Sequence, residues 1–314
     1  MDSPARTPTS QITDTVLMVR PAVFGFNPET AATNRFQQAE SGQAGIAEMA
    51  RREFDGLVNA LATAGVSVIV MEDTPEPVKP DAVFPNNWFT THADGTAVLY
   101  PMLNPSRRVE RQRAWIEALA ERHGRRLNAL LDMSCWERQG LALEGTGSLV
   151  LDRVNRVAYA CRAPRTASEP LAQWAGFMGY TTQGFDAVDQ AGVAIYHTNV
   201  MMALGQGFAV VALDAVPATD ERERLMQSLE AAGNEIVALS QQQIAGFGAN
   251  VLHLVGSAGP VVAMSDRARE SLAGEALRRL ERHGSIVSAP IPTIEQCGGG
   301  SVRCMIAEIF LPPI

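Results

Sequence analysis

The feature that most constrains this chain is a recurring pattern in which a helical stretch ends in glycine and gives way to a β-rich run. The helical segments cover Gly45 to Ala64, about Arg107 to His123, Ala167 to Met178, Asp220 to Ala232 and Asp266 to His283. The glycines that follow them are Gly65, Gly124, Gly179, Gly233 and Gly284, at intervals of roughly 50–60 residues. Glycine suits a helix end because it adopts a left-handed conformation without a Cβ penalty. Further strand candidates lie between the helices, at 96–100, 148–151, 156–160, 193–196, 208–213, 249–254 and 260–264. Each unit thus carries several short strands and one helix. Five such units closing on themselves predict a single α/β domain around a central channel. A doubly wound sheet needs simple strand–helix alternation, and no Gly-rich dinucleotide fingerprint follows the first strand.

The bulk properties exclude several function classes. Of the 314 residues 46% are hydrophobic, and the net charge is −8. No Lys/Arg block offers the clustered positive footprint that nucleic acids or anionic membranes require. No apolar run approaches the roughly 18 residues of a membrane span. The polar segment 1–14 does not read as a secretory signal and is expected to be a flexible end preceding a catalytic domain over 15–314. The four cysteines, Cys135, Cys161, Cys297 and Cys304, lack metal-site spacing, so no metal and no cofactor is expected. A reduced, cytoplasmic protein acting on a small molecule fits best.

Cys304 follows Gly298-Gly299-Gly300-Ser301-Val302-Arg303. Glycines beside a reactive side chain leave room for a substrate, and the Arg303 cation would favour the attacking thiolate. From the local pattern alone a buried structural thiol is an equal alternative. Among the five histidines, His123 and His283 sit at helix ends as ordinary caps, His92 falls in a turn expected to face solvent, and His253 alternates within a strand. His197 ends the apolar run 193–196 and opens a polar one, which makes it the candidate proton carrier. Glu144 lies between an apolar run and a Gly-rich turn, either as a surface group or as the partner of His197. Asp81, Asn86 and Asn87 place polar groups inside an apolar segment, as a turn or as a ligand-binding edge.

Taken in order, from Met18-Val19-Arg20-Pro21 to Arg303-Cys304-Met305, these segments resemble the guanidine-modifying superfamily: arginine deiminases, dimethylarginine hydrolases, amidinotransferases and citrulline utilisation hydrolases. The resemblance implies a pentein fold, a five-bladed α/β propeller with pseudo-fivefold symmetry, and makes a homodimer an ordinary expectation. It implies Cys304 as nucleophile, His197 as general acid/base and Glu144 as third catalytic residue. It further implies substrate binding by Asp81 and the 81–87 segment, with Arg108 and Arg165 on the substrate carboxylate through paired charge-assisted hydrogen bonds. A ribosome-binding relative of the same fold lacks catalysis, but this chain keeps the Cys–His–Glu set.

The departures from the superfamily pattern point to the substrate. Arginine-acting relatives carry acidic residues where this chain has Asn86 and Asn87, and several carry Asp where it has Asn199. A guanidinium offers only donors, whereas a ureido group also has a carbonyl oxygen that needs them. Amides in place of carboxylates therefore shift the expectation from arginine to citrulline, cleaved to ornithine, ammonia and carbon dioxide. The alternatives are an arginine or methylarginine hydrolase and an amidinotransferase. Cys297 is expected to be a packing residue, and the loop 24–36 has the glycine and proline content of a lid.

Overall fold

The computed structural model describes residues 10–38, 45–272 and 274–314. It contains five three-stranded sheets, each with one antiparallel and one parallel pairing. The first is begun by β1 (Thr15–Arg20) and its parallel neighbour β2 (Ser67–Glu72). The second holds β3 (Phe89–Thr91), β4 (Thr96–Leu99) and β5 (Ala129–Asp132). The third holds β6 (Val150–Asp152), β7 (Val157–Cys161) and β8 (Thr181–Phe185). The fourth holds β9 (Met202–Leu204), β10 (Phe208–Val211) and β11 (Glu235–Ala238). The fifth holds β12 (Leu252–Gly256), β13 (Gly259–Ser265) and β14 (Ser285–Ala289). The two-residue β15 (Ala307–Glu308) then returns to pair antiparallel with β1 and completes the first sheet. This is the pentein arrangement: five blades, one of them closed by both ends of the chain.

In every blade the parallel pair is joined by a helical crossover, as parallel strands require. These helices are α1 (Ile46–Thr63), α2 (Arg113–Arg122), α3 (Ser168–Met178) and α4 (Thr219–Ala231), with α5 (Asp266–Ser271) and α6 (Glu275–Glu281) sharing the fifth crossover. Helix α1 shows why they dock. Its buried residues Ile46, Ala50, Phe54, Leu57 and Leu61 recur at helical spacing on one face, and burying side chains such as Phe54 and Leu57 contributes roughly 2 kcal/mol each. Gly65 then takes a φ of 83°, and the Val66 N–H returns to the Leu61 carbonyl at 3.0 Å. Gly124, Gly179 and Gly233 are also left-handed.

The fifth unit differs from expectation. Instead of one helix over 266–283, two short ones meet around Gly274, whose φ is 89°. Gly284 is absent from the positive-φ glycines. Its need is proximity, since a Cβ there would lie 2.7 Å from the Pro260 carbonyl oxygen of the adjacent strand. The run 193–196 forms no sheet strand, only a bridge between Ala194 and Val188. His92 is buried, its Nε2 2.9 Å from Thr90 Oγ1, so its expected exposure is corrected: the turn folds back under the blade. Of the segment expected as a flexible end, residues 10–14 belong to the described structure. From Ser10 the chain is docked, with Gln11 donating to the Leu151 carbonyl and accepting from the Arg153 N–H, each at 2.9 Å; residues 1–9 lie outside the described residues.

The strands β15, β3, β6, β9 and β12 come first in each antiparallel pair or close it, and among them β15 meets β3 while β9 meets both β6 and β12. They form the inner edge of the blades. The segments that lead into them are therefore brought together, and those segments carry the polar candidates.

Candidate active site

Each inner strand is preceded by a tight, buried turn. Before β3 a 3₁₀ turn over Pro85–Asn87 begins with proline, whose fixed φ suits a first helical position, and buries Asn86 and Asn87. Before β6 the turn Gly145–Ser148 is anchored by the Ser148 hydroxyl, which donates to the Arg165 carbonyl at 2.6 Å and accepts the Glu144 N–H at 2.9 Å. Before β9 a 3₁₀ turn over Thr198–Val200 follows His197. Before β15, Cys304 sits in a turn closed by its own N–H on the Ser301 carbonyl at 2.9 Å. Cys304 is thus held in a turn, not in a strand.

Glu144 and His197 form a buried pair, with Glu144 Oε2 2.9 Å from His197 Nε2. The second carboxylate oxygen accepts the Leu103 N–H at 3.1 Å, and Arg165 Nη1 lies 3.5 Å from the first. Burial alone would push the Glu144 carboxyl up, but Arg165, the His197 hydrogen bond and Arg107 outweigh it and hold it down to about 2. Burial likewise pushes the His197 imidazole down to about 4, against the pull of Glu144. An ionised carboxylate can only accept, so Nε2 carries the proton of the neutral ring. Nδ1 is left as the basic nitrogen.

The sulfur of Cys304 is met by two side-chain amides. Asn199 Nδ2 lies 3.4 Å away and Asn250 Nδ2 3.2 Å. Asp81, Asn87, Arg107, Arg165, His197 and Cys304 all border one cavity of about 20 Å³, which is room for a single water. Thr30, Asn34 and Gln37 supply one part of its wall. There the Asn27 amide donates to Asp81 Oδ2 at 2.7 Å, Gln37 donates to the Gly298 carbonyl at 2.9 Å and Asn34 to the Gly299 carbonyl at 3.1 Å. The segment considered as a lid is folded against the cavity.

Two sequence assignments need correction. Arg108 was expected in the site, but its guanidinium donates to the Met102 and Leu103 carbonyls at 3.0 Å each and is 31% exposed. Arg107 borders the cavity instead, fully buried. It donates to Asn87 Oδ1 at 2.7 Å and to Glu110 Oε2 at 2.8 Å. Consecutive residues of a helical turn project about 100° apart, so only one of the two arginines can face inward. Asn86 also turns away: its amide donates to Thr146 Oγ1 at 3.3 Å and supports the neighbouring turn, while Asn87 faces the cavity. The Arg303 guanidinium makes its hydrogen bonds to Glu308 at 2.9 Å and to the Ile306 carbonyl at 3.0 Å, so it acts on the Cys304 sulfur through its charge and not by contact.

The remaining candidates lie close to one another. Asp81 borders the cavity, ringed by the Asn27, Thr30 and Gln37 donors. Arg165 is held by Thr33 Oγ1 at 2.6 Å and lies over the Tyr196 ring. Cys297 is fully buried in the same apolar cluster as Ile294 and Val302. Residues that sequence reasoning missed are Asn27, Gln37, Arg107 and Asn250. Among the described residues no group of three or more His, Cys, Asp or Glu side chains is placed to hold a metal ion, and no helix is long and apolar enough to cross a membrane.

Five blades around a buried Cys–His–Glu set define a member of the guanidine-modifying pentein superfamily. The family model described as N,N dimethylarginine dimethylhydrolase, eukaryotic, matches residues 20–311, and the chain belongs to that family. No curated protein matches it in a sequence search. Solved structures share the fold. The N-terminal domain of ArgZ, an arginine dihydrolase from cyanobacteria, superposes with a TM-score of 0.73 at 16% identity, covering 96% of this chain and 99% of that one. AgrE, in a complex with L-arginine, gives 0.70 at 18% identity, with 96% of this chain and 40% of that one covered. A dimethylarginine dimethylaminohydrolase gives 0.64 at 14% identity, covering 95% and 100%.

Proposed function

We propose that this protein is a cysteine-dependent hydrolase of a ureido or guanidino amino acid, with citrulline as the preferred substrate. The observation that carries the substrate choice is the orientation of Asn87. Arg107 Nη1 is a donor only, so the atom of Asn87 that it meets at 2.7 Å must be the oxygen. The Asn87 Nδ2 is then left buried and without a partner among the described residues. A ureido carbonyl accepts such a hydrogen bond, whereas a guanidinium would leave the buried N–H unpaired at a cost of about 1–3 kcal/mol. Asn199 Oδ1 is also buried and without a hydrogen-bond partner among the described residues.

In this mechanism the Nδ1 of His197 accepts the Cys304 proton, and the thiolate attacks the ureido carbon. The charge gathers on the former carbonyl oxygen, where Asn87 donates. As the C–N bond breaks, the imidazolium returns its proton to the departing amine. The same imidazole then activates water, which releases the carbamoyl group from sulfur. One water is consumed per citrulline, and the carbamate formed breaks down so that ornithine, ammonia and carbon dioxide result. Glu144 keeps the ring oriented and favours the imidazolium.

Asp81 favours a second reading, because a carboxylate on the cavity wall suits a guanidinium; an arginine hydrolase is therefore the rival. Incubation with citrulline, arginine and dimethylarginine, followed by assay of ornithine and ammonia, separates the two. Ornithine is expected from citrulline. Turnover of arginine to citrulline with citrulline left intact refutes the proposal.

A further inference from the structure

Four blades deliver the proposed catalytic set from one structural position, the turn that leads into the inner strand. Asn87 precedes β3, Glu144 precedes β6, His197 and Asn199 precede β9, and Cys304 precedes β15. The corresponding turn of the fifth blade, before β12, presents Asn250. That turn is built tightly. Phe247 adopts a φ of 63°, an unfavourable conformation for a bulky residue, and a Cβ at Gly248 would lie 2.9 Å from the Gln243 carbonyl oxygen. The Asn250 N–H closes the turn on the Phe247 carbonyl at 2.8 Å. Backbone strain of this kind is kept where surrounding structure and function demand it.

The amide of Asn250 has only one consistent orientation. Its Oδ1 accepts the Arg303 N–H at 2.9 Å, and a backbone N–H is a donor only. The Nδ2 group therefore faces Cys304 Sγ at 3.2 Å, while also reaching the Asn199 carbonyl at 3.4 Å. Asn250 is buried, so its hydrogen bond is not shared with solvent. One side chain thus holds both the backbone just before the nucleophile and the sulfur itself.

The charged groups around the sulfur do not supply this contact. Arg165 pairs with Glu144 at 3.5 Å, Arg107 lies 3.9 Å from Asp81, and the Arg303 guanidinium is turned to Glu308. His197 is neutral at neutral pH. Among the described residues, the side-chain donors that meet the sulfur are the amides of Asn199 and Asn250.

We propose that Asn250 is a catalytic residue, whose Nδ2 donates to the Cys304 sulfur, stabilises the thiolate formed when His197 takes its proton, and aims it into the cavity. This rests on Cys304 being the nucleophile. A hydrogen bond to a charged acceptor is stronger than one to a neutral acceptor. Removing the donor therefore disfavours the thiolate and moves the pH profile of its reaction to higher pH. A more basic thiolate is also the stronger nucleophile, by about threefold per unit at a Brønsted slope near 0.5.

The test follows the rate of reaction with an aromatic disulfide reagent against pH. It is run in a Cys135→Ser background, because Cys135 is exposed, with Cys304→Ser as the blank. Asn250→Ala is expected to react about threefold more slowly near neutral pH and about threefold faster on the alkaline plateau, so that the two profiles cross. A merely structural role does not produce a crossing. The kcat for citrulline is expected to fall more than KM rises. Superimposable profiles overturn the role of Asn250. If Asn250→Ala does not fold, Asn250→Asp keeps the acceptor for the Arg303 N–H while removing the donor, and an unshifted profile in that variant equally overturns the proposal. Equal labelling of the background protein and the blank instead overturns the nucleophile reading beneath it.

Discussion

Replacing Asn87 by aspartate changes one atom of the side chain and tests the substrate argument directly. Arg107 Nη1, 2.7 Å from Oδ1, would hold the carboxylate in the same place, and the new charge would remain paired with a cation. The fold should therefore survive, and the melting temperature serves as the control. What is lost is the inward Nδ2 donor, replaced by an oxygen that repels the developing oxyanion. Loss of one such donor costs about 10²–10³ in kcat, or roughly 3–4 kcal/mol. The assay is kcat/KM for citrulline and for arginine, read as ornithine and ammonia release. Citrulline turnover is expected to fall by about 10²–10³, and turnover of arginine relative to citrulline to rise. Citrulline turnover within threefold of native in a folded Asn87→Asp protein would refute the reasoning.

Other perturbations separate residues that the sequence leaves equivalent. Arg107→Met strands the buried Glu110 carboxylate and is expected to cost about 3–5 kcal/mol in denaturant unfolding, whereas Arg108→Ala is expected to cost under about 1 kcal/mol and to leave turnover intact. Gly147→Ala places a Cβ 2.4 Å from Asn87 Nδ2 and 2.7 Å from the His197 ring, so steady-state kinetics should show loss of kcat while circular dichroism shows retained secondary structure. The His197 imidazole, held near 4 in the folded protein against 6.5 for its ordinary value, binds its proton more readily in the unfolded chain. Stability from this group is complete above pH 6.5 and decreases as pH falls to 4, by roughly 3 kcal/mol. Melting temperatures over that range should fall more steeply for the native protein than for His197→Gln, and equal slopes would count against the assignment.

The blade count was legible because helix ends are locally encoded. Gly65, Gly124, Gly179 and Gly233 need positive φ, and a helix face such as that of α1 repeats over many residues. The inner strands were much less so: β3, β6 and β9 have three residues each and β15 only two, too few for a period to declare itself. Gly284 fitted the repeat for a different reason, proximity to Pro260, which no local pattern reveals. Within the site, motif context singled out Cys304, His197 and Glu144, which the fold brings to one place. Motif context could not choose between Asn86 and Asn87 or between Arg107 and Arg108, since neighbours in a single turn diverge by about 100°. Asn250 resembles any turn asparagine until the fivefold repetition of inner-strand entrances is known. That repetition is the signal that could have found it.

The balance of charge around the cavity bears on the substrate independently of any one hydrogen bond. Two cations, Arg107 and Arg165, face Asp81, Glu110 and Glu144. Burial pushes the Glu110 carboxyl up, against the pull of Arg107. Glu110 is already engaged by Arg107, and Glu144 by Arg165 and His197. A buried charge without a partner is among the most expensive groups a protein can hold, so a guanidinium entering this cavity would need an anion not already engaged. Asp81, the one carboxylate on the wall among the described residues, already accepts from the Asn27 and Gln37 amides. Carboxylates at positions 87 and 199 would supply the missing charge; Asn87 and Asn199 supply dipoles instead. A neutral ureido group asks for dipoles, and this is why the two amides, more than the cysteine, direct the proposal to citrulline.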